Sequence, residues 1–338
     1  VVKFYVKEKD SLTLERLYNF AIDWGIRHDP RGRRLINSLL EKQRQDYEKL
    51  DEKQRSLFDI EKFTNPYSDT RILNGDVEKP IKSILVGVDI EIGEVMLADR
   101  LRGGGKSIDL LLAHHPEGRA MANFYEVMEM QADILNKLGV PINVAEGILE
   151  DRIKEVERRV LPLNHTRTVD AARLLEIELA CVHTPADNGV TQFLQKRFDK
   201  LKPTFLSDII DSLLEIPEYR QATLGNAGPR PVAGSPKNRA GKVFVDMTGG
   251  TGGSKKAFEK LVQAGVGTVV GMHIGEEHLE EAKKHHVNVV IAGHIASDAV
   301  GINLLLDGLV RKYGKLEILA CSGFTRVLRD KSGRARLA

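Results

Sequence analysis

Three short apolar runs, far apart along the chain, each lead into a histidine and then into turn or helix-start residues. Residues 108–113 lead into His114-His115-Pro116-Glu117-Gly118, and residues 178–182 into His183-Thr184-Pro185-Ala186-Asp187. Residues 287–292 lead into Gly293-His294-Ile295-Ala296-Ser297-Asp298. A short apolar run bounded by turn signals reads as a buried strand. In open α/β folds, side chains gather at the carboxyl ends of such strands, where the crevice opens. Neutral imidazole nitrogens beside ionised carboxylates suit a borderline divalent metal.

The rest of the chain supports this architecture. Residues 1–80 read as a helical N-terminal extension: Leu14, Leu17, Ala21 and Trp24 recur at helix spacing, and Leu35, Ile36, Leu39 and Leu40 begin a second stripe. The mixed charges of 41–62 suit a solvated helical hairpin packed on a core or a subunit neighbour. Residues 81–216 read as a first α/β lobe. Its strands are 83–88, ending at Asp89, 110–113 and 179–182, and its helices 91–101, 121–138, 144–160, 169–177, 190–198 and 205–215. Gly225, Gly228, Pro229, Pro231, Gly234 and Pro236 crowd 217–241, which reads as a functional or mobile loop. Residues 242–330 read as a second α/β lobe, with strands 242–247, 267–271, 287–292 and 316–320 and helices 254–264, 276–285 and 299–313. The β-α-β-α alternation favours parallel pairing with helices on the faces, and the two halves can be similar layers facing each other.

Composition sets bounds on function. A chain of 338 residues, 42% hydrophobic and 29% charged, can bury two cores. A net charge of +2 argues against a dedicated nucleic-acid binder. The basic stretch 329–336 reads as a frayed terminus. Cys181 and Cys321 lie in apolar runs without a CxxC partner, which fits buried, reduced thiols. No stretch approaches the roughly 18–20 apolar residues of a membrane span. Val1 to Val6 lack the features of a signal peptide. Together these point to a cytoplasmic protein.

Each cluster has a structural and a chemical reading. His114 and His115 both serve as ligands only if the strand ends there, since neighbours on a strand face opposite ways. Pro116 supplies that ending; the alternative is one core histidine and one exposed. Asp187 either swings back toward His183 or caps a helix at Val190. His294 and Asp298 share a face if the first helical turn reaches back that far; Asp298 also suits a helix dipole. The Gly249-Gly250-Thr251-Gly252 string, followed by Gly253-Ser254-Lys255, opens a helix and can contact a phosphate or carboxylate. It fails the Walker and dinucleotide spacings, and a tight turn between strand and helix is its default reading. His273 follows a strand and can line the crevice as a proton shuttle, whereas His278, His285 and His286 read as solvated.

Leu112-Ala113-His114-His115-Pro116, His183-Thr184-Pro185-Ala186-Asp187 and Gly293-His294-Ile295-Ala296-Ser297-Asp298 resemble the signature motifs of the NIF-three-like (YbgI-like) family, often labelled GTP cyclohydrolase type-one-like. The glycine string resembles that family's second-half loop. The resemblance spans 81–325 and implies two related α/β lobes with a dinuclear metal site in the cleft. It also implies a ring-shaped homohexamer with its sites facing an internal cavity. Carried over by motif, the metal ligands are His114, His115, Asp187, His294 and Asp298, with His183 beside the site. The family usually has Glu at the position of Asp298, one methylene longer. The block before Ile81 lies outside the common core, and the insertions between Glu117 and Leu179 reshape the pocket. The expectation is a metal-dependent hydrolase with two divalent ions (Zn, Fe, Mn, Co or Ni) and a small nucleotide-like, cyclic amidine or phosphoester substrate. His183 or His273 would handle protons. The alternative is a non-catalytic protein that binds metal or a partner, for storage, delivery or regulation.

Overall fold

The computed structural model describes residues 11–330 and 335–337. Val1 to Val6 and the tail residues 331–334 lie outside the described residues. The described strands are β1 (Arg71–Asn74), β2 (Ser83–Gly87), β3 (Leu110–Ala113), β4 (Glu178–Cys181), β5 (Arg230–Ala233), β6 (Lys242–Asp246), β7 (Val266–Gly271), β8 (Asn288–Ile291), β9 (Glu317–Ala320), β10 (Val327–Arg329) and β11 (Ala335–Leu337).

Two sheets form the lobes. The first runs β1-β4-β3-β2-β9 and the second β5-β8-β7-β6. In each, three consecutive strands pair in parallel and an antiparallel edge strand flanks the last of them: β1 on β4, β5 on β8. The two sheets thus repeat one topology. After the second sheet is complete, the chain returns to add β9 beside β2.

β2, β3 and β4 are buried along their whole length, as expected of parallel strands covered on both faces. Ile84, Val86, Leu110 and Leu112 pack toward helices Leu14–His28 and His294–Tyr313. Leu85, Leu111 and Leu179 pack toward the opposite face, with Val95, Ala98 and Ala172. In the second sheet, Val245, Val270 and Val290 meet Val190, Leu194 and Val300. Phe244, Val269 and Val289 pack outward with Leu135 and Leu149. Helices Thr184–Leu201 and His294–Tyr313 therefore form the layer between the sheets.

The hairpin does pack on a core, as expected, through Leu14, Leu17, Phe20, Ala21 and Trp24. Several boundaries differ from expectation. The segment before Ile81 is not wholly helical, because β1 pairs with β4. Residues 217–241 are not a loop. Pro217 pre-sets the first turn of helix Pro217–Leu224, and β5 follows, its alternating pattern hidden by Pro231 at an edge where a missing N–H is tolerated. The 121–138 helix divides into Gly118–Ala122, a 3-10 turn Phe124–Glu129 and Met130–Leu138. The 254–264 helix begins only at Ala257. Nor is Arg329 frayed: it forms a buried ion pair with Glu218, and β10 pairs with β11. Cys181 is buried, Cys321 half-buried, and both are free. No helix among the described residues is long and apolar enough to cross a membrane.

The central helices approach closely at Gly301. A Cβ there would lie 2.5 Å from the Ala186 carbonyl oxygen, which is backbone and cannot rotate away. Gly301→Ala is expected to destabilise the fold by about 1–3 kcal/mol. Urea unfolding checks this; a change within about 0.5 kcal/mol, the range of neutral surface substitutions, would refute the close crossing.

Candidate metal centre

The three sequence clusters converge at the carboxyl ends of β3, β4 and β8. β3 ends at Ala113, and the His114 and His115 backbone amides stay tied to the Val88 carbonyl. Both rings then turn into the cleft, with centroids 5.2 Å apart. Helix Thr184–Leu201 starts directly after His183, so Asp187 stands in its first turn and does not open a helix at Val190 as the capping reading required. Likewise, helix His294–Tyr313 starts at His294 and not at Ala299. Gly293, at φ +114°, makes that abrupt turn, a backbone region natural to glycine. Each His/Asp pair is therefore an i,i+4 pair on one helical face.

Asp298 lies at the centre. Its Oδ1 is 3.4 Å from His114 Nε2, and its Oδ2 is 3.6 Å from His115 Nε2 and 3.5 Å from His294 Nε2. Asp187 Oδ1 is 3.3 Å from His114 Nε2, and Asp187 Oδ2 is 3.6 Å from His183 Nε2. His114, Asp187 and Asp298 form the buried floor, while the side chains of His115 and His294, 25% and 40% exposed, form the mouth.

Three imidazoles are locked by their other nitrogen. His114 Nδ1 donates to the Val182 carbonyl at 3.1 Å, His115 Nδ1 to Asp89 at 2.6 Å and His183 Nδ1 to Asp69 at 2.7 Å. With Nδ1 committed as a donor, each Nε2 points inward and can ligate once it carries no proton, the arrangement that orients histidine ligands. Thr184 Oγ1 also donates to Asp69 at 2.6 Å. Asp89 had a sequence signal, a carboxylate at a strand end. Asp69 had none: it lies in a turn before β1, and only the fold carries it to His183.

The electrostatics suit a cation. Burial drives the His114 pKa down, but Asp298 and Asp187 more than offset this and raise it well above its ordinary value. Burial and the neighbouring His114 and His183 push His115 down to about 4. Burial would raise Asp298, yet His114, His294 and His115 hold it below its ordinary value. His114 Nε2, Asp187 Oδ1 and both Asp298 carboxylate oxygens are buried without a hydrogen-bond partner. Leaving such atoms unsatisfied costs about 1–3 kcal/mol each, more for charged groups. The donors ring a common space without pairing off. Three overlapping sets can hold a metal ion: His114 with His115 and His183, His115 with His294 and Asp298, and His114 with Asp187 and Asp298.

The other expected residues sit at the edge. The His273 ring is 5.0 Å from that of His294. Gln131 donates to the Gly249 and Thr251 carbonyls, Arg152 to that of Gly252, and the His278 ring bonds that of Gly253. His278 is therefore not merely solvated. The glycine string, Gly249 to Gly252, packs through its carbonyls against these side chains, as a tight turn would; a Cβ on Gly249 or Gly250 would strike Gln131 or Val127.

Fold and cluster together define a two-lobed α/β protein with a buried His/Asp group able to hold metal. Neither a family model nor a curated protein matches the chain. Among solved structures, a NIF3 superfamily protein from Sphaerobacter thermophilus is 29% identical, with a TM-score of 0.67, over 76% of this chain and 92% of that one. Reduced HcgD from Methanocaldococcus jannaschii is 18% identical, with a TM-score of 0.46, over 80% of this chain and 97% of that one. In fold and motif order the chain is similar to that NIF3 superfamily protein.

His114→Ala is expected to abolish metal retention, measured by elemental analysis. Asp69→Asn should keep the site but weaken metal affinity about 10–100-fold. Metal uptake must displace the proton that the raised His114 pKa favours. Affinity should therefore fall as pH falls, by about tenfold per unit for each proton released; calorimetry at several pH values that finds a flat profile would refute this.

Proposed function

We propose that the chain is a metal-dependent hydrolase of a small nucleotide-like, cyclic amidine or phosphoester substrate, built round two divalent cations. One observation carries the reading: Asp298 presents two buried, unpartnered oxygens to different imidazoles. His114, His183, Asp187 and Asp298 Oδ1 would hold one ion at the floor; His115, His294 and Asp298 Oδ2 would hold the other at the mouth. Mixed imidazole and carboxylate donors suit Zn, Fe, Mn, Co or Ni. Such ions supply a nucleophile at neutral pH and polarise the electrophile.

The chain's own groups divide the remaining work. Val182, Asp89 and Asp69 fix the ring orientations, so the donors need no reorganisation on binding. His183 has Nδ1 committed to Asp69 and Nε2 facing Asp187, which suits a ligand better than a proton shuttle. Proton transfer falls to His273, whose pKa burial lowers, so that a neutral ring nitrogen accepts a proton beside His294. The glycine string acts as a wall of the neighbouring cavity. The free thiols of Cys181 and Cys321 support a cytoplasmic setting, and the family resemblance supports a hexameric ring, which light scattering would test.

Purified protein screened against nucleotides, phosphodiesters and cyclic amidines should show turnover that needs added metal and that Asp187→Ala removes. Stoichiometric metal with no turnover across the panel would leave a metal-binding protein without catalysis.

A further inference from the structure

We infer that the cavity beside the metal cluster binds a compact organic cation, an amine or amidine on a flat apolar body, with Asp246 as its recognition group. This deepens the reading above by naming a substrate class, and rests on it only for turnover, since the binding needs no metal.

The cavity holds about 230 Å³ on the outer face of the second sheet. That is below the roughly 300–1,000 Å³ of sites for drug-sized ligands, so its occupant is small. Phe244, Phe258, Leu261, Leu135, Leu149 and Val269 form apolar walls. Leu135 and Leu149 belong to the insertion between β3 and β4, so the first lobe's insertion roofs a pocket of the second. Phe244 and Asp246 alternate onto one face of β6, which brings the carboxylate into this space at the strand's carboxyl end.

Three other polar side chains here are committed. Gln131, Arg152 and His278 hold the glycine-string carbonyls, and Arg152 also pairs with Glu155. Asp246 has no hydrogen-bond or ion-pair partner among the described residues. Asp246 is solvent-exposed at the cavity wall, and the protein around it pushes its carboxyl up to about 6. An occupant that displaces water from this carboxylate must bring a hydrogen-bond donor of its own. An amidinium offers two parallel N–H groups to its two oxygens, the geometry that makes forked charge-assisted pairs strong. Aromatic walls then cover the flat body. His273 lines the same cavity with its ring 5.0 Å from that of His294, so a ligand seated on Asp246 lies at the edge of the metal cluster.

Benzamidine is the probe, titrated into the full chain by calorimetry and ligand-observed NMR, with the neutral isostere benzamide as control. Saturable benzamidine binding is expected, weakened at least about tenfold in the near-isosteric Asp246→Asn variant, with benzamide failing to compete. The metal-depleted His114→Ala variant should still bind benzamidine. Retained binding there, without turnover in the wild type, would sink the hydrolase reading alone. No saturable binding to the wild type, equal affinity in Asp246→Asn, or benzamide binding as tightly would overturn the cation site.

Discussion

The crossing of helices Thr184–Leu201 and His294–Tyr313 holds the molecule together. They touch where Gly301 leaves room for the Ala186 carbonyl. Asp187 follows Ala186, and Asp298 lies one turn before Gly301, so this contact sets the carboxylate spacing. Each helix also packs on a different sheet, through Ala186 and Ala299 on the first and Val190 and Val300 on the second. The lobes are joined by the same layer that carries the acids.

That layer explains why the cluster is buried yet unpaired. Strand ends from the two sheets deliver imidazoles to one space, and the helix starts deliver carboxylates to it. The Nδ1 bonds to Val182, Asp89 and Asp69 then fix the rings against one another's repulsion. Asp69 and Thr70 come from the segment before Ile81, and Thr70 Oγ1 accepts from the His183 amide. The N-terminal block is therefore part of the site's support and not an appendage.

The architecture was largely legible in the sequence, because fully buried parallel strands leave continuous apolar runs and helices alternate with them. Two of the missed strands have a common cause. β1 and β5 are antiparallel edges, only partly buried, and their residues include Arg71, Asn74, Arg230 and Pro231. Edge pairing is decided by a neighbour and leaves little periodicity. The helix starts at Thr184 and His294 were placed too late, because a strand running straight into a helix shows no linker.

By itself the sequence determined the α/β class and which histidines and aspartates stand at strand tips, since both follow from local pattern. Only the tertiary structure decided that these tips meet, that Asp69 backs His183, and that Asp246 faces a cavity alone. Each of those is a relation between segments far apart in the chain, fixed by helix packing and burial, and such relations leave no mark on local residue order.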